Sequence, residues 1–391
     1  MVRMTRPRIA VIGLGGIAQS VHLPLIQRNR ADVDLAAVVE LSASRLAVLA
    51  DRYGVPAGGR FTSLEALLCA LADGSVRIDA AIVATGGGHT DETLALIRAG
   101  VKVLVEKPLG WSPQDLEALE QGLADLRRDP RDWLRIGYMK EHDPAVAAAR
   151  EILADVVPRE VRVEVLHPAD GAQIRFARLE PAADDVEPAT LAALTARGAR
   201  SISEATGADD DTLRRLWSNV VLGSVIHDIA LTRHLGLGLD RVLHARRQGD
   251  QFPGSVFGVG LTTADVPWNL GWHFISDYPE YRETVTVHHE RGTVQLEFAT
   301  PYILNAPTVL RVCDGGDQLS SQVSTRTWPQ EEAFERELRA LLTLASGGNC
   351  GGSSLAEART DLASAQALWG ACAISAGLDV VAGSGDAAPR Q

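Results

Sequence analysis

Residues 8–18 read RIAVIGLGGIA, an apolar β-branched run that ends in a glycine turn and opens at once into helical spacing. A short run of this kind marks a buried parallel strand. Gly13-x-Gly15-x-x-Ala18 fits the G-x-G-x-x-(G/A) pattern, in which each small residue has its own steric task. Gly13 permits the tight turn off the strand. Gly15 lets the backbone approach a pyrophosphate where a Cβ would collide, and Ala18 keeps the helix close on the sheet. Gly16 and Ile17 open that helix, whose unpaired N–H groups and partial positive charge favour phosphate. Glu40 closes the second strand, where a carboxylate accepts hydrogen bonds from ribose hydroxyls and repels a 2′-phosphate. The expected cofactor is therefore NAD. NADP is the lesser option, because Arg45 lies close by.

The rest of the first third keeps the same rhythm. Strands are expected at 33–40, 79–84 and 101–105, with helices at 42–53, 91–99 and 113–125. The helix from Gly16 to about Asn29 should kink or break at Pro24. Strand and helix alternating at this spacing predict a doubly wound parallel sheet, an α/β Rossmann domain over residues 1–130. Beyond it, RIGYM (135–139), a helix at 144–153 and the alternating VRVEVLH (161–167) open a second unit. Residues 177–211, rich in Ala, Asp and Glu, read as an exposed insertion with some helix. Six strand-like runs between 241 and 314 then follow without intervening helices, which predicts a mostly antiparallel open sheet in an α+β domain, 131–382. Helices at 330–346 and 354–376 close it, and the tail 383–391 is expected to be disordered.

Composition excludes several classes. The formal charge of −12 argues against a nucleic-acid partner, which needs a basic surface. No run approaches the ~20 apolar residues of a membrane helix, and the N-terminal apolar stretch enters a glycine turn rather than a cleavage site. The expected location is the cytoplasm. Cys69, Cys313, Cys350 and Cys372 are scattered and read as reduced, mostly buried thiols. Metal binding is not expected, since His288 and His289 point to opposite faces of a strand and have no third ligand at metal spacing. Lysine occurs only at 102, 107 and 140 in a chain otherwise served by arginine, and lysine alone of the two can lose its proton.

Glu106-Lys107-Pro108 stands directly after the strand VKVLV. With the glycine motif, His22-Leu23-Pro24, DAAIVAT with His89 beyond it, and IGYMKEHDP at 136–144, it resembles the Gfo/Idh/MocA oxidoreductases, the glucose–fructose oxidoreductase and inositol dehydrogenase family. The resemblance implies that Thr85, His89, Glu106 and Lys107 lie along the cofactor, with Lys107 pointing into the cleft between domains after an often-cis proline peptide. A lysine there can polarise substrate hydroxyls or exchange protons. It also implies a helix histidine facing the nicotinamide. His227 in SVIHDIALTRHLG is the matching position, and a neutral imidazole there can take the proton of an alcohol that gives up hydride.

One departure matters. Many relatives carry an aspartate four residues before that histidine, on the same helix face, and here the position is Gly223. Asp228 cannot simply replace it, because adjacent helix residues point about 100° apart. Tyr138, Lys140 or His142 could supply the missing group. Residues 270–283 and 300–307, with Trp272 and His273, could line a polar carbohydrate-sized pocket or form an interface between copies.

The leading expectation is an NAD-dependent dehydrogenase or reductase acting on CH–OH groups of a sugar, cyclitol or related polyol. Two alternatives stand beside it: transient oxidation by a retained NAD in an elimination or epimerisation, and a nucleotide-sensing binding protein. A homodimer or homotetramer is the assembly the resemblance implies.

Overall fold

The computed structural model describes residues 6–169, 171, 174–181, 184–317 and 320–378. Six parallel strands form the first sheet: β1 (Arg8–Ile12), β2 (Asp34–Val39), β3 (Arg60–Phe61), β4 (Ala80–Val83), β5 (Lys102–Glu106) and β6 (Leu134–Gly137). Their order is β3-β2-β1-β4-β5-β6, the doubly wound arrangement expected from the alternation of strand and helix. The central strands are apolar because helices cover both faces: Ile9, Val11, Ile82 and Val103 are wholly buried. Side-chain caps fix several helix starts, as where Ser42 Oγ accepts from Arg45 N at 3.0 Å.

The first helix shows how Pro24 is accommodated. Residues Ala18–His22 form a wider π turn that leads into the α-helix Leu23–Arg28, with Pro24 in its first turn. Proline lacks the N–H and crowds the carbonyl four residues back, so the ladder widens ahead of it instead of breaking.

Eight strands form the second sheet: β7 (Pro158–His167), β8 (Leu239–Gln248), β9 (Ser255–Thr262), β10 (Pro267–Phe274), β11 (Arg282–His289), β12 (Gly292–Phe298), β13 (Val309–Asp317) and β14 (Ser320–Arg326). The order is β14-β13-β12-β11-β7-β10-β9-β8, antiparallel except between β7 and β10. Val161, Val163 and Val165 of β7 face the core while Arg162 and Glu164 face out, as period-two alternation requires. The edge strand β14 was not among the expected strands; every one of its residues is exposed, so it offers no apolar alternation to read.

The division between domains differs from the expected boundary at 130. β6 pairs with β5 and completes the first sheet, so RIGYM belongs to the first domain. The helix Ala333–Ala345 also returns to it, burying Phe334, Leu338, Leu341 and Leu344 in one cluster with Ile9, Val11 and Ile82. The insertion carries one long helix, Pro188–Thr206, exposed through Arg197 and partly covered toward its C-terminal end, which Gly207 closes at φ +60°. The thiols differ from expectation too: all four cysteines are free, but only Cys372 is buried, its pKa pushed up to about 12 by burial, and Cys69 is exposed. The tail 383–391 lies outside the described residues. Among the described residues, no helix is long and apolar enough to cross a membrane, and no cluster of three metal-ligating side chains occurs.

Candidate active site

The glycine loop follows β1 with the geometry its residues require. Gly13 has φ +88°, and a Cβ there would lie 2.7 Å from both the Ala84 carbonyl oxygen and Thr85 N. Only glycine fits. A Cβ on Gly15 would meet nothing within 4 Å, because that side of the loop opens into a cavity. Ala18 is wholly buried beneath the loop. Glu40 ties the loop to the next helix, its carboxylate accepting from Leu14 N and Ser42 N, each at 3.1 Å. Arg45 Nη1 stands 3.7 Å from the same carboxylate.

The cavity, about 440 Å³, lies where the two sheets' ends meet. Gly15, Gly16, Ile17, Thr85, Glu106, Lys107, Lys140 and His227 all line it. His89 does not; it is 1% exposed and stands behind Thr85, sharing hydrogen bonds of 3.1 Å with Thr85 Oγ1 and Glu92 Oε2. It reaches the cavity only through Thr85, which lines the wall.

Lys107 leaves β5 through a cis peptide to Pro108. Its Nζ donates to the carbonyl oxygen of Gly223 at 2.5 Å. Burial lowers its pKa and Lys140 adds to the effect, against an opposing pull from Glu106. Glu106 itself pairs with His22 Nε2 at 2.7 Å. Gly223 sits in a ten-residue π-helical stretch, Leu216–Val225, that runs into the helix Ile226–His234 carrying His227. Burial, with Lys107 and Lys140 nearby, holds the His227 imidazole well below its ordinary pKa, so it is neutral at neutral pH. Its Nδ1 is buried without a hydrogen-bond partner.

Opposite them lies a buried ionic group. Lys140 Nζ pairs with Glu283 Oε1, stands 3.8 Å from Asp228 Oδ1, and lies 4.9 Å from the centre of the Phe298 ring. Tyr281 donates its hydroxyl to Glu283 Oε2 at 2.6 Å. Burial and the neighbouring Glu283 push the Asp228 carboxyl well up. Burial also works to raise Glu283, but Lys140, Asp228 and Tyr281 together outweigh it and hold that carboxyl below the usual range. Lys140, Tyr281 and Glu283 reach the cavity wall.

Four of the five candidate substrate residues lie outside the wall. Tyr138 is 4% exposed and packs edge-on behind His227, ring centroids 6.3 Å apart. His142 faces the loop at Gly352, where a Cβ would come within 3.3 Å of its ring. Trp272 is buried behind Ser224, donating Nε1–H to its Oγ at 3.0 Å. His273 alternates to the other face of β10, against Ser255 and Phe257. Glu283, Tyr281 and Tyr302 were not singled out from the sequence, although the segments that hold them were. The signal for Glu283 was there: it shares strand parity with the buried Val285 and Val287, an acid in an apolar register.

Residues 7–127 match the model of an oxidoreductase family with an NAD-binding Rossmann fold, Gfo/Idh/MocA. Inositol 2-dehydrogenase 3 of Saccharopolyspora erythraea is 29% identical over 150 residues, 37% of this chain and 40% of that protein. The chain thus matches well under half the length of that curated relative. Among solved structures, the aldose-aldose oxidoreductase of Caulobacter crescentus, complexed with glycerol, superposes with a TM-score of 0.70 at 18% identity, covering 95% of this chain and 98% of that one. The scyllo-inositol dehydrogenase of Lactobacillus casei, with bound NAD(H) and scyllo-inositol, gives 0.66 at 17% identity, covering 95% and 98%. At these identities the likeness is one of fold.

Proposed function

We propose that this chain, whose N-terminal domain belongs to the Gfo/Idh/MocA oxidoreductases, catalyses NAD-dependent hydride transfer on a sugar, cyclitol or related polyol. The observation that carries the reading is the convergence of Lys107 and His227 on the cavity that Gly15 and Thr85 also line. The residues present suit a nicotinamide dinucleotide. The loop Gly13–Ala18 would hold the pyrophosphate, with Gly15 open on the ligand side, and Glu40 the adenosine ribose. Thr85 and Glu106 flank the path between them and Lys107. The preference for NAD rests on Glu40.

A bound nicotinamide dinucleotide supplies the hydride acceptor. The chain's own residues handle the proton and the substrate. Gly223 takes one of the three Nζ–H donors of Lys107, leaving others for a substrate hydroxyl oxygen. Lowered by burial, that lysine is suited to polarising the hydroxyl and exchanging its proton. The neutral imidazole of His227 receives the hydroxyl proton as the carbinol C–H bond breaks and the carbonyl forms. Lys140 and Tyr281 offer polar contacts to further hydroxyls. Lys107→Ala and His227→Ala should each lower turnover about 10²- to 10⁴-fold on the polyol identified by NADH formation. If both left turnover intact, the mechanism would be wrong.

A second reading keeps the cofactor without net redox: the substrate is oxidised transiently and the hydride returned after an elimination or epimerisation. It is favoured by the insertion segment that lies over the glycine loop, since Glu180 N donates to Gln19 Oε1 at 2.7 Å and would hinder exchange of a nucleotide. Its signature is a nucleotide carried through purification and turnover without accumulating NADH. Assembly through the eight-stranded sheet, where Leu243 and Phe257 are exposed on β8 and β9, completes the proposal. A solution mass of one chain would end that part of it.

A further inference from the structure

Between β7 and the long insertion helix, residues 174–181 and Asp185 lie against the first domain. Ile174 and Leu179 lie on the glycine loop, where a Cβ on Gly16 would stand 3.2 Å and 3.8 Å from their Cδ1 atoms. Glu180 is fastened to the Gln19 amide at both ends: Glu180 N donates to Oε1 at 2.7 Å, and Nε2 donates to the Glu180 carbonyl at 3.4 Å. Arg45 Nε donates to the Pro181 carbonyl at 3.2 Å. Asp185 then reaches the N-terminus of the helix Ala43–Arg52, where its Oδ2 accepts from Ser44 N at 2.8 Å.

That helix end is the one a nicotinamide dinucleotide would meet with its adenosine ribose, two residues beyond Glu40. The first-turn donors are already divided. Arg45 N is satisfied by Ser42 Oγ, Ser42 N by Glu40, and Ser44 N by Asp185. Arg45, the cation that a 2′-phosphate would need, is committed to Pro181 and Glu40. An anion arriving there would have to displace one carboxylate and face another, and placing such a repulsive element is a common route to specificity.

We propose that Asp185 is a specificity-determining residue of the dinucleotide site: carried in by the insertion, its carboxylate fills the helix N-terminus that a 2′-phosphate would need, and so selects NAD over NADP. The inference rests on the dinucleotide-binding reading above and adds a second acid, from another domain, to Glu40.

The test is calorimetric titration of the full chain with NAD⁺ and NADP⁺, with thermal unfolding as a check on folding. Asp185→Asn and Asp185→Ala should tighten NADP⁺ about tenfold or more while leaving NAD⁺ within about threefold, tenfold being about 1.4 kcal/mol. Asp184→Asn removes the same charge one residue away and should change neither. An unchanged NADP⁺-to-NAD⁺ ratio in both Asp185 variants, or an equal shift with Asp184→Asn, overturns the proposal. Binding of neither dinucleotide by the wild-type chain instead overturns the parent reading, and this one with it.

Discussion

Lys107 Nζ and the carbonyl oxygen of Gly223 meet at 2.5 Å, joining the end of a strand in one domain to a helix in the other. A carbonyl can accept this hydrogen bond without supplying the full negative charge of a carboxylate. Lys107 is therefore positioned without a counter-ion at that contact, and burial keeps its pKa below the ordinary value. Gly223→Asp should raise that pKa by placing a carboxylate beside the ammonium, and move any limb of the kcat/KM profile that Lys107 sets to higher pH. Gly223→Ala is the control, its Cβ 3.2 Å from the Ser218 carbonyl, a contact a small helix shift relieves. Identical pH profiles for the two variants would show that the lysine does not sense the 223 side chain.

Gly13 and Gly15 separate folding from binding. A Cβ at Gly13 runs into backbone at 2.7 Å and sits at φ +88°, so Gly13→Ala should lower stability by several kcal/mol or prevent folding. A Cβ at Gly15 meets only open space, so Gly15→Ala should stay within about 0.5 kcal/mol of wild type yet weaken dinucleotide binding at least tenfold. Thermal unfolding and calorimetry on the two variants check this. Unchanged affinity in Gly15→Ala would mean that no pyrophosphate approaches the loop there.

The pattern of what could be read beforehand follows the range of the interactions. The turn at Gly13 and the parallel strands rest on local sterics or short motifs, and these were legible. β6 was assigned to the second domain because four residues after a charged connector do not reveal that they pair with β5. The amphipathic helix Ala333–Ala345 was legible as a helix, but nothing local says that its apolar face covers the first sheet. Glu283 had the wrong parity for an acid, which hinted at a site. Its partner Lys140 lies 143 positions away and only folding joins them. Asp185 was invisible for the same reason, within a segment whose composition suggested solvent.

Lys140 and Glu283 form a buried pair, with side chains 6% and 2% exposed. Removing the cation leaves the buried Glu283 carboxylate without compensation, so Lys140→Met should destabilise the fold by roughly 3 kcal/mol. The double variant Lys140→Met/Glu283→Leu should cost less than that single change, because neither charge is then stranded. Chemical unfolding of the wild type, both singles and the double closes the cycle. Additive costs would mean that the two groups do not interact.

Two groups near the domain junction titrate in opposite directions. Burial lowers the His142 imidazole from 6.5 to about 4, so the unfolded chain takes up its proton first and stability falls as pH drops between those values. Burial raises the Asp361 carboxyl from 3.8 to about 6, so its effect has the opposite sign across much of the same window. The wild type should therefore show little net pH dependence from the pair. His142→Gln removes the first effect and should gain about 2 kcal/mol relative to wild type at pH 5 compared with pH 7, less whatever its partial exposure screens. Urea unfolding at the two pH values reads this directly, and no relative gain would mean that His142 is not held neutral.

Gln19 and Arg52 both touch Glu180, but with unequal consequences. The Gln19 side chain is 8% exposed and holds the Glu180 backbone with two hydrogen bonds, at 2.7 Å and 3.4 Å. Arg52 reaches the Glu180 carboxylate at 3.0 Å from a side chain that is 46% exposed, where an ion pair is screened by solvent and contributes little. If the segment over the glycine loop slows nucleotide exchange, Gln19→Ala should speed release of bound NADH about threefold to tenfold, a net loss of about 1 kcal/mol for the hydrogen bonds it removes. Arg52→Ala should leave release within about twofold, consistent with an exposed pair. Stopped-flow fluorescence of NADH chased by excess NAD⁺ measures both rates. Equal release in the wild type and Gln19→Ala would mean that the latch does not restrain the cofactor, and would remove the observation that favours transient over net oxidation.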